Sequence, residues 1–261
     1  MPADTILETK NLTMRFGGLT AVKAFSAAIP RGGIVGLIGP NGAGKTTCFN
    51  MITGFYRPSE GQVLLHGRDI TGTPPHRVCK SGIARTFQNI RLFGNETVLE
   101  NVMIGCHLRQ KTGWWQAVLS MPSSLREERA VAATSRELLA VVGLEDLAGE
   151  KASSLPYGAQ RRLEIARALA TRPTFLLLDE PAAGMNPNET QDLMGFIRDI
   201  RTRFNLTILL IEHDMKVVMG ICEHIWVLDY GETIAAGPPE AIKSDPKVIK
   251  AYLGEEAVVH A

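Results

Sequence analysis

Residues 39–47 constrain the fold of this chain more than any other stretch. They read G-P-N-G-A-G-K-T-T, which fits G-x-x-x-x-G-K-[ST], and the apolar residues 34–38 before them have the length of a buried strand. Glycines let successive backbone N–H groups turn inward around a polyphosphate. We therefore predict a phosphate-binding loop formed by Gly39, Pro40, Asn41, Gly42, Ala43, Gly44, Lys45, Thr46 and Thr47.

Two side chains complete this loop. We expect Lys45 to place its charge against the β- and γ-phosphates of a nucleotide, and Thr46 to offer its hydroxyl to Mg²⁺. A helix that begins near Gly44 adds the positive end of its dipole to the same anion. The alternative is a chance match in a glycine-rich turn, but the strand before the loop and the helix start after it weigh against that alternative.

The composition bounds the class of protein. With 261 residues, of which 45% are hydrophobic and 21% charged, the chain has enough apolar material for a core. Its net charge of +1 gives no overall argument for a nucleic-acid partner. The four cysteines lie far apart without a C-x-x-C pair, so we expect reduced thiols rather than a zinc site or a disulfide framework.

No apolar run approaches the ~18 residues that cross a bilayer, and residues 1–4 do not read as the start of a signal peptide. Any association with a membrane is therefore expected to depend on a partner.

Polar residues follow two apolar segments of strand length. Asp179 and Glu180 come after residues 175–178, and His213 follows residues 207–211 closely. An open α/β sheet binds its ligand at the carboxyl ends of its strands. Asp179 is then positioned to hold Mg²⁺, Glu180 to orient or deprotonate a water, and His213 to donate a hydrogen bond to a phosphate or that water. Acids that merely cap a strand and a purely structural histidine are the alternatives.

The pattern of elements changes along the chain. Residues 6–29 read as short strands, and no convincing strand appears between residues 94 and 175. Helical patterns fill this interval and include Arg126 to Val142, while Trp114-Trp115 interrupts them. Beyond it strands alternate with helices, which indicates a mainly parallel sheet covered by helices and hence an α/β fold.

The motifs together resemble those of one family. In chain order they are the loop 39–47, Gln88 after a short strand, L-P-Y-G-A-Q at 155–160, D-E-P at 179–181 and E-H-D at 212–214. This ordered set resembles the ATP-binding cassette (ABC) ATPases. The resemblance implies a P-loop NTPase fold with a RecA-like core, an antiparallel β edge and an inserted α-helical lobe. It implies a core lobe at 1–93 and 160–240, a helical lobe with the signature motif at 94–159, and a C-terminal tail at 241–261.

The resemblance also implies roles for single residues. Phe16 matches the aromatic that stacks on adenine, although it reads nearly as well as an apolar strand residue. Gln88 matches the glutamine that reaches Mg²⁺ and the attacking water, and Tyr157 and Gly158 belong to the signature motif. The implied catalytic residues are Glu180, His213 and Gln88, and the implied Mg²⁺ ligands are Thr46, Gln88 and Asp179. In this family the loop of one subunit and the signature of another enclose each ATP, so a dimer is implied.

Two positions depart from the general family pattern. Pro156 stands where the signature usually has serine, which removes a hydroxyl from the expected phosphate contact. Asn186 stands where an aspartate is usual, which keeps hydrogen bonding but loses a charge. Both departures, the tail at 248–254 and the insert with Trp114-Trp115 resemble the G-type ATPase of branched-chain amino acid importers. The tryptophans read either as core packing or as a partner contact.

The expected assembly contains two ATPase subunits, identical or different, and transmembrane permease subunits at the cytoplasmic face of the cell membrane. A periplasmic or extracellular solute-binding protein acts indirectly, and residues 89–93 are candidate contacts with the permease. Related ATPases that power urea or aromatic-acid import, or the extraction of lipid or lipopolysaccharide, remain alternatives. A soluble ATPase that acts on DNA or ribosomes usually has two cassettes or a long coiled coil, and a GTPase would need an N-K-x-D motif that the chain lacks.

Overall fold

A computed structural model describes residues 5–106 and 122–259. The described strands are β1 (Thr5–Phe16), β2 (Leu19–Pro30), β3 (Ile34–Ile38), β4 (Glu60–Leu65), β5 (Arg68–Asp69), β6 (Ile83–Arg85), β7 (Phe175–Asp179), β8 (Thr207–Ile211), β9 (His224–Asp229) and β10 (Glu232–Gly237). The described α-helices are α1 (Lys45–Ile52), α2 (Pro75–Lys80), α3 (Val98–Cys106), α4 (Pro122–Val142), α5 (Tyr157–Ala170), α6 (Pro187–Arg203), α7 (Met215–Ile221), α8 (Pro239–Lys243) and α9 (Pro246–Val259). The strand-length segment recognised at residues 207–211 is confirmed residue for residue as β8.

The chain forms two compact units. The first contains residues up to 79 and from 174 onward, and the second contains residues 80–173. The sequence placed the helical lobe at 94–159, whereas the second unit also includes β6, the segment around Gln88 and the whole of α5. The hydrogen bonds made by α5 explain this grouping, as described below. Trp114 and Trp115 lie outside the described residues.

An antiparallel sheet forms one part of the first unit. Its strand order is β2-β1-β4-β5, and β1 pairs antiparallel with both β2 and β4. The short strands predicted over residues 6–29 are wrong, because β1 and β2 are continuous strands of 12 residues each. The pairing of β1 with β2 shifts register between Thr9 and Leu12, where Asn11 has a φ of 48°. Such bulges interrupt the apolar and polar alternation of a strand, so the sequence pattern looks like separate pieces.

The second sheet of this unit carries the parallel strands. Within the unit the order is β10-β9-β3-β8-β7, with parallel pairing from β9 to β7 and antiparallel pairing of β10 with β9. Every residue of β3, β7 and β8 is buried. Strands covered on both faces read as continuous apolar runs, which is why the sequence located these three so well. The predicted parallel sheet is confirmed.

Helix α6 begins with a complete capping box. The side-chain oxygen of Asn186 accepts hydrogen bonds from the backbone N–H groups of Asn188 and Glu189, both at 3.0 Å, and Glu189 accepts from the backbone N–H of Asn186. Asparagine and aspartate are about equally good N-cap residues. The departure at Asn186 therefore keeps the structural role of the position while removing a charge.

The helices of the second unit pack closely around α5. A Cβ atom on Gly105 of α3 would lie 2.4 Å from the carbonyl oxygen of Arg167 in α5, so only glycine permits this approach. Strand β6 ends at Arg85 rather than at Phe87 as predicted. The backbone carbonyl of Phe87 instead accepts a hydrogen bond from Arg161 of α5, at 2.7 Å. Helix α5 begins at Tyr157, within the signature motif.

The four cysteines are free, as the sequence predicted. Cys48 and Cys222 are buried, and burial raises the pKa of the Cys222 thiol to about 12. Over the described residues, no helix is both long and apolar enough to cross a bilayer.

Candidate nucleotide-binding and hydrolysis site

The carboxyl ends of three neighbouring strands bring the predicted site residues of the first unit together. Leu37 of β3 pairs with Ile211 of β8, and Ile211 pairs in turn with Asp179 of β7. Because the three strands are parallel, the loop after β3, the acids at the end of β7 and the residues after β8 leave the sheet at one edge. The sequence predicted this convergence.

The phosphate-binding loop is held between two backbone segments. Gly39 has a φ of 149°, and a Cβ atom there would lie 2.0 Å from the carbonyl oxygen of Leu228 in β9. Gly44 has a φ of 101°, and a Cβ atom there would lie 2.5 Å from the carbonyl oxygen of Ala21 in β2. Side chains at these two positions would push the loop out of its place. The glycines therefore fix the loop path as well as its backbone conformation.

The charged groups of this loop suit a polyphosphate. Nζ of Lys45 donates to the carbonyl oxygens of Gly39 and Pro40, at 2.5 and 2.8 Å, so the ammonium lies inside the curve of the loop. Lys45 is only 7% exposed. Helix α1 starts immediately after Gly44, an N-cap residue that has no side chain to accept the first N–H groups of the helix. A phosphate oxygen satisfies such groups, and the loop therefore fits the predicted ligand.

Asp179 and Glu180 differ in burial and in backbone conformation. Asp179 is only 4% exposed, at the end of β7. Glu180 follows with a φ of 45°, which is unusual for a residue with a side chain and costs about 1 to 2 kcal/mol. Its backbone N–H donates to the carbonyl oxygen of Ile211 at 2.9 Å, and this bond helps to hold the strained turn. Backbone strain of this kind is common at functional sites.

His213 lies beside Glu180. Its Nδ1 atom is 3.6 Å from Oε2 of Glu180 and 3.9 Å from Oε2 of Glu212. The side chain of His213 is 60% exposed, whereas Glu212 is buried. A carboxylate and an imidazole are thus adjacent on the sheet edge that carries the phosphate-binding loop. In this arrangement the carboxylate can accept a proton from a water molecule, and the imidazole can donate a hydrogen bond to an anion.

The comparisons with known proteins agree with this geometry. A sequence model of the family described as "ABC transporter" matches residues 22–183, and one described as "Branched-chain amino acid ATP-binding cassette transporter" matches residues 232–258. The high-affinity branched-chain amino acid transport ATP-binding protein BraF of Pseudomonas aeruginosa is 49% identical over 250 residues, which cover 96% of this chain and 98% of BraF. LivG of Escherichia coli K12, with the same description, is 48% identical over 96% of this chain and 98% of its own. The crystal structure of the ADP conformation of MJ1267, an ATP-binding cassette of an ABC transporter, superimposes with a TM-score of 0.84 at 33% identity, over 96% of this chain and 99% of that one.

The chain belongs to the ABC transporter family of ATP-binding cassettes. The cassette is therefore a nucleotide-binding ATPase that powers transport, and the predicted P-loop NTPase fold and the predicted resemblance are confirmed. The individual roles of the site residues stay predictions.

Phe16 of the cassette has an aromatic neighbour that the sequence did not reveal. The rings of Phe16 and Tyr56 meet edge to face, with centroids 5.4 Å apart and an interplanar angle of 78°. Both rings are partly exposed, so a flat apolar ligand can reach them. Phe16 ends β1 at the hairpin that leads into β2, and β2 is the strand whose Ala21 carbonyl touches the phosphate-binding loop.

Other predicted residues of the cassette lie in the second unit. Tyr157 is the first residue of α5 and is 45% exposed, and Gly158 follows it. Pro156 is the N-cap residue of this helix and makes no side-chain cap bond, so the first-turn N–H groups of α5 suit an anion. Gln88 is exposed, and its backbone carbonyl accepts a hydrogen bond from Arg161 at 2.8 Å.

Over the described residues, no group of three or more His, Cys, Asp and Glu side chains could hold a metal ion by itself. Mg²⁺ usually keeps several waters and takes only one or two carboxylates besides substrate phosphates. The predicted ligands Thr46, Gln88 and Asp179 comprise one carboxylate and two neutral oxygens, and phosphates and water would have to supply the remaining ligands.

Glu212 is a buried carboxylate that the sequence analysis gave no role. It is 1% exposed, and its Oε1 accepts the backbone N–H of Ala182 at 2.8 Å. Glu212 thereby ties the end of β8 to the segment that follows Glu180. Burial raises the pKa of its carboxyl, and the hydrogen bond from Ala182 and the nearby His213 offset part of this effect. The sequence signals were an acidic residue directly after an apolar strand and its place in the E-H-D motif at 212–214.

The raised pKa predicts how the stability of the cassette responds to Glu212→Gln. The folded protein binds the proton of the Glu212 carboxyl more tightly than the unfolded chain does. The stability that this proton contributes is complete below the pKa of the unfolded chain and is lost as the pH rises through the raised pKa of the folded protein. Glutamine keeps an acceptor for Ala182 but has no charge to bury. We expect the variant to melt at a higher temperature than the wild type at about pH 8, with the difference shrinking toward about pH 5. Thermal unfolding at several pH values measures this, and a difference that does not change with pH would contradict it.

Proposed function

We propose that this cassette is the ATP-hydrolysing subunit of an importer of branched-chain amino acids. The observation that carries the hydrolytic part is the meeting of the phosphate-binding loop, Glu180 and His213 at one edge of the parallel sheet. The match of residues 232–258 to a branched-chain amino acid cassette family and the identity to BraF and LivG support the transported solute.

ATP binding uses residues of the first unit. Lys45 leaves the carbonyls of Gly39 and Pro40 and pairs with the β- and γ-phosphates, while the N–H groups of the loop and of the first turn of α1 surround them. Phe16 stacks on the adenine, and its edge contact with Tyr56 supports the ring. Mg²⁺, held by Thr46, Gln88 and Asp179, would neutralise part of the phosphate charge.

Hydrolysis then requires a base and a proton path. Glu180 accepts a proton from the attacking water, whose oxygen forms a bond to the γ-phosphorus as the bond from that phosphorus to the bridging oxygen breaks. ADP and phosphate are the products. His213, close to Glu180, donates a hydrogen bond to the γ-phosphate and holds it for in-line attack. Gln88 orients the water together with Glu180.

The complete site needs a second subunit. Cassettes of this family work in pairs, and the signature residues Tyr157 and Gly158 close over a nucleotide held by the phosphate-binding loop of the partner. The first-turn N–H groups of α5 supply the anion contact, which compensates for the serine hydroxyl lost at Pro156. The partner subunit is a second copy or a related cassette.

The pair of cassettes acts on transmembrane permease subunits at the cytoplasmic face of the cell membrane. Residues 89–93 contact the permease, and a solute-binding protein outside the membrane delivers the amino acid. No nucleic acid takes part. The cassette never touches the solute, so its own residues carry no specificity for it.

Glu180→Gln tests the proposed base. Glutamine keeps the size of the side chain but cannot accept the proton, and loss of a general base costs roughly 10²- to 10⁴-fold in rate. We expect kcat for ATP hydrolysis to fall by about this factor while ATP binding is retained. Steady-state kinetics and nucleotide binding measure both quantities. Glu240→Gln, an exposed glutamate of α8, is the matched control and should keep the normal rate; a Glu180→Gln protein with normal kcat would overturn the assignment.

The transported solute is tested with the assembled importer. The cassette is co-purified with its membrane partners in lipid vesicles, and ATP hydrolysis is measured with solute-binding protein loaded with leucine, isoleucine or valine. We expect these to stimulate hydrolysis, and Lys45→Ala, which removes the phosphate contact, to abolish the stimulation. Stimulation only by a binding protein loaded with urea or an aromatic acid would replace the proposed solute, and failure to recover any membrane partner would contradict the transport function.

A further inference from the structure

Helix α5 contains a buried ion pair that no step of the proposed mechanism uses. Arg161 and Glu164 are 0% and 1% exposed, and Nη1 of Arg161 lies 2.8 Å from Oε2 of Glu164. Arginine and glutamate are almost never buried without partners, because removing their charges from water is costly. Some compensating contacts must therefore hold this pair in place.

These contacts go to the segment that contains Gln88. Nη1 of Arg161 donates to the carbonyl oxygen of Phe87 at 2.7 Å, and Nη2 donates to the carbonyl oxygen of Gln88 at 2.8 Å. Oε1 of Glu164 accepts the backbone N–H groups of Phe87 at 3.4 Å and Arg91 at 3.3 Å. The pair thus binds both donors and acceptors of residues 87–91, all within the second unit.

The same guanidinium also reaches the signature motif. Nη2 of Arg161 donates to the hydroxyl of Tyr157 at 3.3 Å, and its guanidinium carbon lies 5.9 Å from the centre of the Tyr157 ring. A single side chain therefore touches the first residue of α5 and the carbonyl of Gln88. The segment has an internal contact as well, since the guanidinium of Arg91 stacks over the ring of Phe87 at 4.4 Å. Arg167 of α5 adds one more contact to the segment by donating to the carbonyl of Arg91.

We infer that Arg161 is a positioning residue for hydrolysis, which fixes the backbone of Gln88 to the helix that begins at the signature. Arg161 acts through Gln88 and touches no substrate. Tyr157 contacts the same guanidinium as the carbonyl of Gln88. When a partner's nucleotide binds against the signature, the change at Tyr157 is therefore passed through Arg161 to the backbone of Gln88. This inference rests on the proposed role of Gln88 in orienting the attacking water.

The test is a double-mutant cycle in the importer with its membrane partners. Arg161→Met/Glu164→Leu replaces both charges at once, so neither is left buried without a partner. It is combined with Gln88→Ala, and kcat, KM for ATP and melting temperature are measured. Lys10→Met/Glu8→Leu, which removes a partly exposed ion pair of β1, is the control and should keep the normal kcat.

We expect the pair replacement to lower kcat by a factor close to that of Gln88→Ala, with KM for ATP unchanged. In the Gln88→Ala background it should cause little further loss, because residues that act through one another are not additive. Hydrogen exchange of the amides of Phe87 and Arg91 should become faster in the pair replacement. Arg161→Lys keeps the charge but lacks the planar guanidinium, so it should give an intermediate kcat. This variant takes the place of the double replacement if the double replacement does not fold.

Two outcomes separate the inference from the proposed function. A slow Gln88→Ala variant together with a normal pair replacement, or equal losses from the pair replacement with and without Gln88, would overturn the inference alone. A Gln88→Ala variant with normal kcat would overturn the role of Gln88 itself, and faster amide exchange at residues 87 and 91 would then show only that the pair holds the segment.

Discussion

The close backbone packing of the phosphate-binding loop is the constraint on which the site depends. The loop passes between the carbonyl of Leu228 in β9 and that of Ala21 in β2, at distances that only Gly39 and Gly44 allow. This position puts the ammonium of Lys45 inside the loop and starts α1 beside it. The other groups of the first unit follow from sheet order, since β8 and β7 are the next strands. Glu212 and His213 follow β8 directly, and Asp179 and Glu180 lie at the end of β7.

A second kind of constraint operates around α5. Here buried charges, rather than glycines, determine the path of a functional segment. Arg161 and Glu164 satisfy the backbone of residues 87–91, and this costs the chain the desolvation of two charges. An apolar pair would fill the same space but could not bind carbonyl and N–H groups together. The retention of charge therefore favours a specific position for the segment over maximal stability.

Much of the fold could be predicted from the sequence because its central strands are buried on both faces. β7 and β8 read as apolar runs followed by acids. The motif at residues 39–47 indicated both the strand before it and the helix after it. The bulged strands β1 and β2 were wrongly divided, because a register shift breaks the alternation that marks a strand. The residues that the sequence analysis missed, Arg161, Glu164, Glu212 and Tyr56, act through contacts between segments distant in the chain, and no local pattern encodes such contacts. Arg161 and Glu164 gave one faint signal, as charges three residues apart in an otherwise strongly amphipathic helix.

We propose that this chain holds the two halves of different ATPase sites, a loop that binds its own nucleotide and a signature that closes the site of a partner. Mixing two inactive variants tests it most directly: Lys45→Ala damages only the loop, and Gly158→Asp puts a negative charge at a signature position where a Cβ atom meets nothing within 4 Å. A hybrid dimer then contains one site in which both halves are intact. We expect the mixture to hydrolyse ATP at a rate well above the sum of the rates of the two variants measured separately. A mixed dimer of the two variants that is no faster than that sum would contradict it.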